Sequence, residues 1–488
     1  MTIDQIINKV KENDPQADTD LLALAYEYAE KAHGSQKRKS GEPYIQHCLH
    51  TAFVLAQIKA DLNTVIAGIL HDVPEDTDRT LEDIQKNFGE EVAFLVEGIT
   101  KLSKIKYRGV ERYRESLRKM FLAMAKDVRV ILIKFSDRLH NLRTLDALPK
   151  EKRLRIAQET MEIYAPIAGI LGVWRLKWQL EDICFKYLYP EEYKKLEYKY
   201  EVEKKVERNK YTQKVKNILG QKLQENNITF TIESRFKHLY SIYKKIQQKD
   251  RQFDEIYDVF ALRVIVPTIQ DCYKTLGIIH GLWKPKANRI KDYIAVPKPN
   301  GYSSLHTTVF GPENKATEFQ IRTPEMHEKS LYGIAAHWHY KQMTGGDAKP
   351  GKQPRWIQDL LNIQRDAKDT DDFIQKIKVD VFKNRIFVFS PKGDVFDLPE
   401  NSTPIDFAYA VHTEIGNKAM AALVNTDIAP LDRALKNGDL VEIVIDKKRK
   451  GPNRDWLKFV KSHRAKEKIM QAAKVSRFEQ LRRIIPGI

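Results

Sequence analysis

The stretch Val65-Ile66-Ala67-Gly68-Ile69-Leu70-His71-Asp72-Val73-Pro74-Glu75-Asp76 restricts what this chain can fold into more than any other. An apolar run ends on a histidine and an aspartate side by side, two ligand types for a hard metal ion. Neighbours on a helix point about 100° apart, so both reach one ion only where the helix ends and presents its tip. Pro74 agrees with such an end: it cannot continue a helix without losing a backbone bond, but it can open a new turn. A turn resumed there sets Glu75 and Asp76 near the tip, able to order or deprotonate a water molecule.

A metal needs further protein ligands, and two candidates stand out. His47 lies in Pro43-Tyr44-Ile45-Gln46-His47, at the start of an apolar helix, and Asp137 follows the hydrophobic run Val128 to Phe135. His47, His71, Asp72 and Asp137 make a two-histidine, two-carboxylate set that suits Mn²⁺, Fe²⁺ or Zn²⁺ better than Ca²⁺. Any one of them alone reads as an ordinary helix-end residue; the four together with Glu75 and Asp76 do not. The order H…HD…D, with ED after the doublet, resembles that of HD-type phosphohydrolases.

At 488 residues the chain is too long for a single core, and three domains are expected. No window reaches the length of an apolar membrane span, and Met1-Thr2-Ile3-Asp4 is no signal peptide. Cys48, Cys184 and Cys272 lack CxxC spacing and read as small buried side chains in a reducing compartment. A cytoplasmic protein is expected. The formal charge of +17 and a pI near 9.3 call for a polyanionic partner, nucleic acid or highly phosphorylated nucleotides, although solvated lysine-rich helix faces absorb part of it.

Residues 1 to about 195 read as helix with short turns, from apolar spacings of three and four: Leu21 to Lys31, Cys48 to Lys59, Asn63 to Leu70, Leu81 to Phe88, Glu91 to Lys101 and Tyr107 to Ala125. The loop 37–43 carries Arg38 and Lys39, which can meet a phosphate approaching the metal. Asn141 and Thr144 follow Asp137 at i+4 and i+7, on the same face and able to bond a ligand. Helices from Leu154 to Tyr189 read as packing that joins this domain to the next.

Beyond about residue 200 the pattern changes. Arg235, Lys237, Ser241 and Lys245 can face one way at the start of an amphipathic helix and cradle a triphosphate. Tyr257 to Val266 reads as a buried strand with Asp258 near its start. In Thr317 to Arg322, period-2 alternation sets Glu318, Gln320 and Arg322 on one face. Neighbouring strands would let Asp258 and Glu318 chelate Mg²⁺ between them. Between the strands, Asn300-Gly301 signals a tight turn, Tyr302 can offer a ring face to a base, and Arg289, Lys291, Lys298 and His306 supply charge for phosphates. His337, on a closing helix, can line the same cleft.

The strips RFKHLYSIYKK, YDVFALRVIV, RIKDYIAVPKPNGYSSLHTTV, EFQIRT and AAHWHYK closely resemble the long RelA/SpoT-homologue (Rel) family. The resemblance covers nearly the whole chain and implies a multidomain α and α+β protein. Its parts are an all-helical HD-type hydrolase domain (1–195), a mixed-sheet nucleotidyltransferase-like synthetase domain (196–341), a linker and connecting helix (342–379), a small β-grasp TGS domain (380–446) and the start of a helical regulatory region (447–488). It implies a bifunctional alarmone enzyme of the stringent response. One site would move pyrophosphate from ATP to the 3′-hydroxyl of GDP or GTP with Mg²⁺; the HD site would hydrolyse (p)ppGpp with Mn²⁺.

Carried onto these residues, the resemblance makes His47, His71, Asp72 and Asp137 the Mn²⁺ ligands and Glu75 and Asp76 the water-activating carboxylates. Arg38, Lys39, Asn141 and Thr144 become guanosine contacts. Arg235, Lys237 and Lys245, with Ser241 among them, match ATP-side residues. Asp258 and Glu318 match the catalytic Mg²⁺ carboxylates, and Tyr302 the guanine-stacking residue, with Lys298, His306 and Gln320 nearby. Arg289-x-Lys291-Asp292 is the basic form of a motif that is acidic in synthetase-only members. Two departures, the loop Ala32-His33-Gly34-Ser35-Gln36 and Pro74 inside HDxxED, leave every ligand in place, but Pro74 is expected to shift Glu75 and slow hydrolysis. The TGS domain implies contact with uncharged tRNA and the ribosome through His412 and Lys418; a domain that only restrains the enzyme is the plainer alternative. The zinc-finger and ACT-like modules of long members have no counterpart in these residues. A tRNA- and ribosome-associated sensor with relic sites would lack a ligand, and a hydrolase-only enzyme would have no reason to keep Asp258, Glu318 and Tyr302.

Overall fold

In a computed structural model, helices carry the first part of the chain: α1 (Ile3–Asn13), α2 (Thr19–His33), α3 (Tyr44–Gln57), α4 (Leu62–Leu70), α5 (Val73–Asp76), α6 (Leu81–Phe88), α7 (Glu90–Ser103), α8 (Arg129–Arg143), α9 (Lys150–Glu159), α10 (Ala165–Ile170), α11 (Trp174–Leu188) and α12 (Pro190–Glu197). The structure describes residues 1–103, 123, 126–199, 205–249, 260–287, 289–295, 297, 302–333, 385–391, 394–436, 438–446, 448–449, 451–462 and 464–472. The expected helix Tyr107 to Ala125 lies almost wholly outside them. So do Asp258, Lys298, the Asn300-Gly301 turn, His337, the whole of 342–379, the Lys392-Gly393 turn and the end of the basic tail. The chain divides into two units, Met1–Ile357 and Gln358–Ile488.

In the first unit the apolar run before His71 behaves as its composition demands. Every residue of α4 from Thr64 to Leu70 is buried, and the helix is capped by Asp61, whose carboxylate accepts from Thr64 N. Such a cap is worth about 1 kcal/mol. Arg129, at the start of α8, is buried and binds Asp61, Glu91 and Asp127. That network ties the starts of α4, α7 and α8 together, and α8 then runs buried from Val130 to Ile133 beside α3. His47, His71 and Asp137 are thereby carried on three helices of one core.

A mixed sheet follows. Its strands are β1 (Thr231–Phe236), β2 (Phe260–Ile265), β3 (Lys291–Asp292), β4 (Leu305–Phe310) and β5 (Ala316–Arg322), in the order β1-β2-β5-β4-β3. The β2–β5 pair is parallel and the others antiparallel. One face packs Leu262, Val264, Phe319 and Ile321 against α13 (Lys205–Glu225) and α15 (Ile269–Leu282). The other face is polar. Glu233, Arg263, Gln320, His306 and Lys291 stand in register straight across all five strands. The strand expected at Tyr257 to Val266 is thus seen from Phe260 onward. The basic strip at 234 is not a helix throughout: Arg235 lies in β1, and only from Leu239 does α14 (Leu239–Lys249) begin.

Helices and sheet meet within this unit through Phe185, Leu196 and Ile242, flanked by Tyr193, Tyr240 and Tyr243. His238 pairs with Glu181 at 3.2 Å, and Asp182 accepts from Tyr240 N. After α16 (Pro324–Tyr332), Gly333 (φ +54°) lies against the Leu171-Gly172 turn so closely that a Cβ would sit 2.4 Å from Gly172 C. Among the helices expected to join the two domains, α11 packs on α14 and α16.

The second unit opens with the hairpin β6 (Arg385–Phe389) and β7 (Val395–Pro399). It continues through α17 (Pro404–Val411), α18 (Thr413–Lys418), β8 (Ala419–Val424), β9 (Asp427–Ala429) and β10 (Val441–Ile445). A parallel bridge, Phe389 to Leu440, links the first strand to the approach of the last, as a β-grasp requires. The buried Asp406 carboxylate accepts from Thr403, Lys461 N and Ser462, which pins the following segment to α17. No helix among the described residues is long and apolar enough to cross a membrane.

Replacing Gly333 with alanine forces a methyl group into backbone atoms, so Gly333→Ala is expected to cost about 1–3 kcal/mol. Thermal unfolding followed by circular dichroism measures this; an unchanged melting profile would contradict the close approach.

Candidate functional site

Two constellations emerge in the first unit. In the helical part, His47 Nε2 lies 3.3 Å from both Asp72 Oδ2 and Asp137 Oδ1, and His71 Nε2 lies 3.3 Å from Asp72 Oδ1. The helix does end at Leu70, and Asp72 caps the short turn α5, where Pro74 occupies the first turn and needs no N–H donor. Glu75 N and Asp76 N both bond Asp72 O, so the turn that carries Glu75 keeps its backbone bonds with Pro74 in place. Glu75 and Asp76 are exposed on it. Tyr44 Oη lies 2.9 Å from Asp72 Oδ2 and 2.6 Å from Asp76 Oδ2, joining the two carboxylates. The variant loop is held to the same turn, because Gln36 donates to Asp76 O.

The donor set fits a divalent cation. His71 Nδ1 donates to Gly68 O at 2.9 Å, so in the neutral ring the lone pair is on Nε2, a buried atom 3.3 Å from Asp72 Oδ1. Burial opposes protonation of His71, yet Asp72 and Asp137 raise its pKa to about 9. Burial likewise opposes ionisation of Asp72, but His71 and His47 hold its carboxyl well below the usual range. Asp137 is held down in the same way by Lys134, at 2.8 Å, and His47. Buried Asp137 and partly buried Asp72 draw positive charge toward one point, and His47, His71 and Asp137 each offer a ligand atom within 4.8 Å of the others. Asp72 stands beside them.

Around this centre the structure also brings Arg38 and Asn141 together: Arg38 Nη2 donates to Asn141 Oδ1, and Asn141 Nδ2 to Asp137 Oδ1. Thr144 caps α8 through the carbonyls of His140 and Asn141. Lys39 is exposed on the loop. Tyr44, Lys134 and His140 are new participants. His140 was legible in principle, because it sits at i+3 from Asp137 on the same helical face. Burial, followed by His47, His50, Arg38 and Arg143, pushes its pKa down to about 3.

The second constellation is a cleft of about 260 Å³ on the polar face of the sheet. Arg235, Lys237, Lys245, Arg289, Lys291, His306, Glu318 and Gln320 line it, with Ala261 and Thr308 leaving room at its floor. Five cationic side chains therefore face one carboxylate among the described lining. Burial works against ionised Glu318, but His306 at 3.3 Å and Gln320 at 3.0 Å, with Lys237, hold its pKa at about 2. Gln320 is in turn oriented by Arg235 at 2.9 Å and Arg322 at 3.1 Å. Arg322 is 1% exposed, and burial lowers its pKa to about 10.

Tyr302 donates to or accepts from His306 Nε2 at 2.7 Å, and its ring lies 5.6 Å from the Arg322 guanidinium. Ser241 stands apart from the lining; its Oγ is 2.7 Å from His238 Nε2 instead. Asp292 is turned to cap Ile294 N and Ala295 N. In the second unit His412 caps α18 through Glu414 N, and Lys418 pairs with Glu414 at 2.6 Å.

The Glu318 carboxylate contributes stability above its unfolded pKa, near 4.5, and loses it as pH falls toward 2. Between pH 5.5 and 3.5 the wild type should lose about 1 kcal/mol relative to Glu318→Gln, measured by urea unfolding at each pH; parallel losses would show that Glu318 is not held ionised.

Comparison with known proteins adds three matches in chain order: an HD domain over residues 25–174, the region found in RelA / SpoT proteins over 234–345, and a TGS domain over 386–445. A GTP pyrophosphokinase of Myxococcus xanthus is 47% identical over 464 residues, 94% of this chain and 61% of that protein. The bifunctional (p)ppGpp synthase/hydrolase SpoT of Escherichia coli is 45% identical over 94% of this chain and 66% of its own length. This chain thus spans less than two thirds of either relative. A guanosine-3′,5′-bis(diphosphate) 3′-pyrophosphohydrolase of Aquifex aeolicus is 45% identical over 475 residues, 97% of this chain and 67% of that protein. With these three domains in this order and that identity over most of its length, the chain belongs to the RelA/SpoT homologue family.

Proposed function

We propose that the chain is a bifunctional alarmone enzyme of the stringent response. One site transfers pyrophosphate from ATP to the 3′-hydroxyl of GDP or GTP, releasing AMP; the other hydrolyses (p)ppGpp to GDP or GTP and pyrophosphate. The observation that carries this reading is the coexistence in one unit of the His47, His71, Asp72, Asp137 set and the cationic cleft around Glu318. Relatives bearing each activity in their names support it.

In the hydrolytic site His47, His71, Asp72 and Asp137 hold Mn²⁺, and Arg38, Lys39, Asn141 and Thr144 face the guanosine nucleotide. When bound there, such an ion would supply electrophilic charge to the phosphate being hydrolysed. Glu75 and Asp76, on the exposed turn, orient and deprotonate the attacking water, and the Tyr44 hydroxyl steadies Asp76. In the cleft, Arg235, Lys237 and Lys245 neutralise the ATP phosphates, while Arg289, Lys291, Lys298 and His306 serve the acceptor nucleotide. Tyr302 stacks on guanine. Glu318, ionised at any physiological pH, suits a Mg²⁺ ligand better than a proton acceptor, and Asp258, three residues before its cross-strand partner Ala261, is the second Mg²⁺ carboxylate. The second unit meets uncharged tRNA and the ribosome, with His412 and Lys418 as contacts.

The two sites should separate by mutation. Incubated with ATP, GDP and Mg²⁺, Glu318→Gln is expected to lose AMP and ppGpp formation by at least about 100-fold while still releasing GDP from ppGpp with Mn²⁺; His71→Ala should do the reverse. Anion-exchange chromatography of the nucleotides reads both. Wild-type protein that forms neither product would sink the proposal.

A further inference from the structure

Behind the candidate metal centre, α8 turns His140 toward it. The ring is 4% exposed, and its Nδ1 lies 2.9 Å from His47 Nδ1 and 3.1 Å from Arg38 Nη1. The chemistry of the two contacts assigns the protons. A guanidinium N–H can only donate, so His140 Nδ1 presents its lone pair to Arg38. With a lone pair there, the proton in the second contact belongs to His47 Nδ1. His47 is then the Nδ1–H tautomer, and its Nε2, 3.3 Å from Asp72 and from Asp137, keeps a lone pair for a cation. Asn141 repeats the device on a carboxylate. It accepts from Arg38, which fixes the amide so that its Nδ2 donates to Asp137. One arginine thus reaches two ligands, each through a single side chain of α8.

We propose that His140 is a positioning residue of the metal centre: it holds His47 in its ligating tautomer and fastens Arg38 to that ligand. The role of Arg38 as a nucleotide contact rests on the hydrolase reading above; the orientation of His47 rests on donor geometry alone. A phosphate that engages Arg38 therefore pulls on the same ring that aims His47.

Two variants separate the hydrogen bond from ring packing. His140→Leu removes the acceptor, whereas His140→Asn puts an amide oxygen close to where Nδ1 stood. Isothermal titration of Mn²⁺ into each should show about 10- to 100-fold weaker binding for His140→Leu, the scale of a lost outer-shell partner, with most of the affinity restored in His140→Asn. With ppGpp as substrate, the KM should rise in His140→Leu and return toward the wild-type value in His140→Asn. Equal Mn²⁺ affinity in His140→Leu and wild type overturns the proposal, as does His140→Asn binding no better than His140→Leu. If neither variant folds, nitrogen NMR of wild type labelled at histidine and loaded with Zn²⁺ decides instead: His47 protonated at Nδ1 upholds the proposal, and at Nε2 defeats it. The titrations read binding rather than turnover. Mn²⁺ affinities that follow the expected pattern in a protein that leaves ppGpp intact would remove the hydrolase reading and keep the positioning role.

Discussion

Two carboxylates, one buried and one partly so, beside two imidazoles are the condition to which the helical part of this protein answers. An ionised group moved from water into a protein interior costs several kcal/mol unless opposite charge compensates it. Asp72 and Asp137 accept that cost at a point where three helices converge, and the surroundings are arranged to offset it. Lys134 reaches Asp137 from one side, and the Nε2 atoms of His47 and His71 stand 3.3 Å from the acids, where a shared cation would complete the compensation. The convergence depends in turn on Arg129, whose three carboxylate partners fix where α4, α7 and α8 begin. Had α4 continued one more turn, His71 and Asp72 would diverge and the centre would not exist.

The sheet solves the opposite problem. Its polar face gathers positive charge that repels itself, and the fold keeps it there by spending the apolar alternate positions on a core with α13 and α15. Gln320 has the least replaceable place on that face. Its carbonyl oxygen takes bonds from Arg235 and Arg322, and its amide donates to Glu318, so one neutral side chain links two cations to that acid. An acid at that position would offset part of the cleft's positive charge, and an apolar residue would take from the buried Arg322 Nη2 its acceptor.

Much of this was legible because the chemistry is local. The HD doublet at the end of an apolar run fixed a helix tip, and period-2 alternation in 317–322 fixed which side chains share a face. Register was not legible. That Arg263 stands beside Gln320 depends on β2 and β5 pairing across about fifty residues of intervening chain, which no window of sequence displays. The place of Ser241 outside the cleft lining was not legible for a related reason. Arg235 belongs to a strand and Ser241 to the helix after it, so no single periodicity governs both, and Ser241 faces His238 instead. His140 escaped notice because its partners, His47 and Arg38, lie far away in sequence although they touch it in space.

The order of strands in the sheet carries a temporal consequence. β5 is the last of its strands to be synthesised yet lies in the middle, between β2 and β4. The cleft therefore has no floor until Arg322 has left the ribosome, whereas the histidine–carboxylate centre has all its members by Asp137 and the helix that bears it by Arg143. At typical synthesis rates the roughly 180 residues between those points take about 10 to 40 s. For that interval a nascent chain carries a complete centre of one kind and, once β2 has been made, a β2 edge still waiting for β5, so vectorial synthesis itself imposes an order on when the two chemistries come into being.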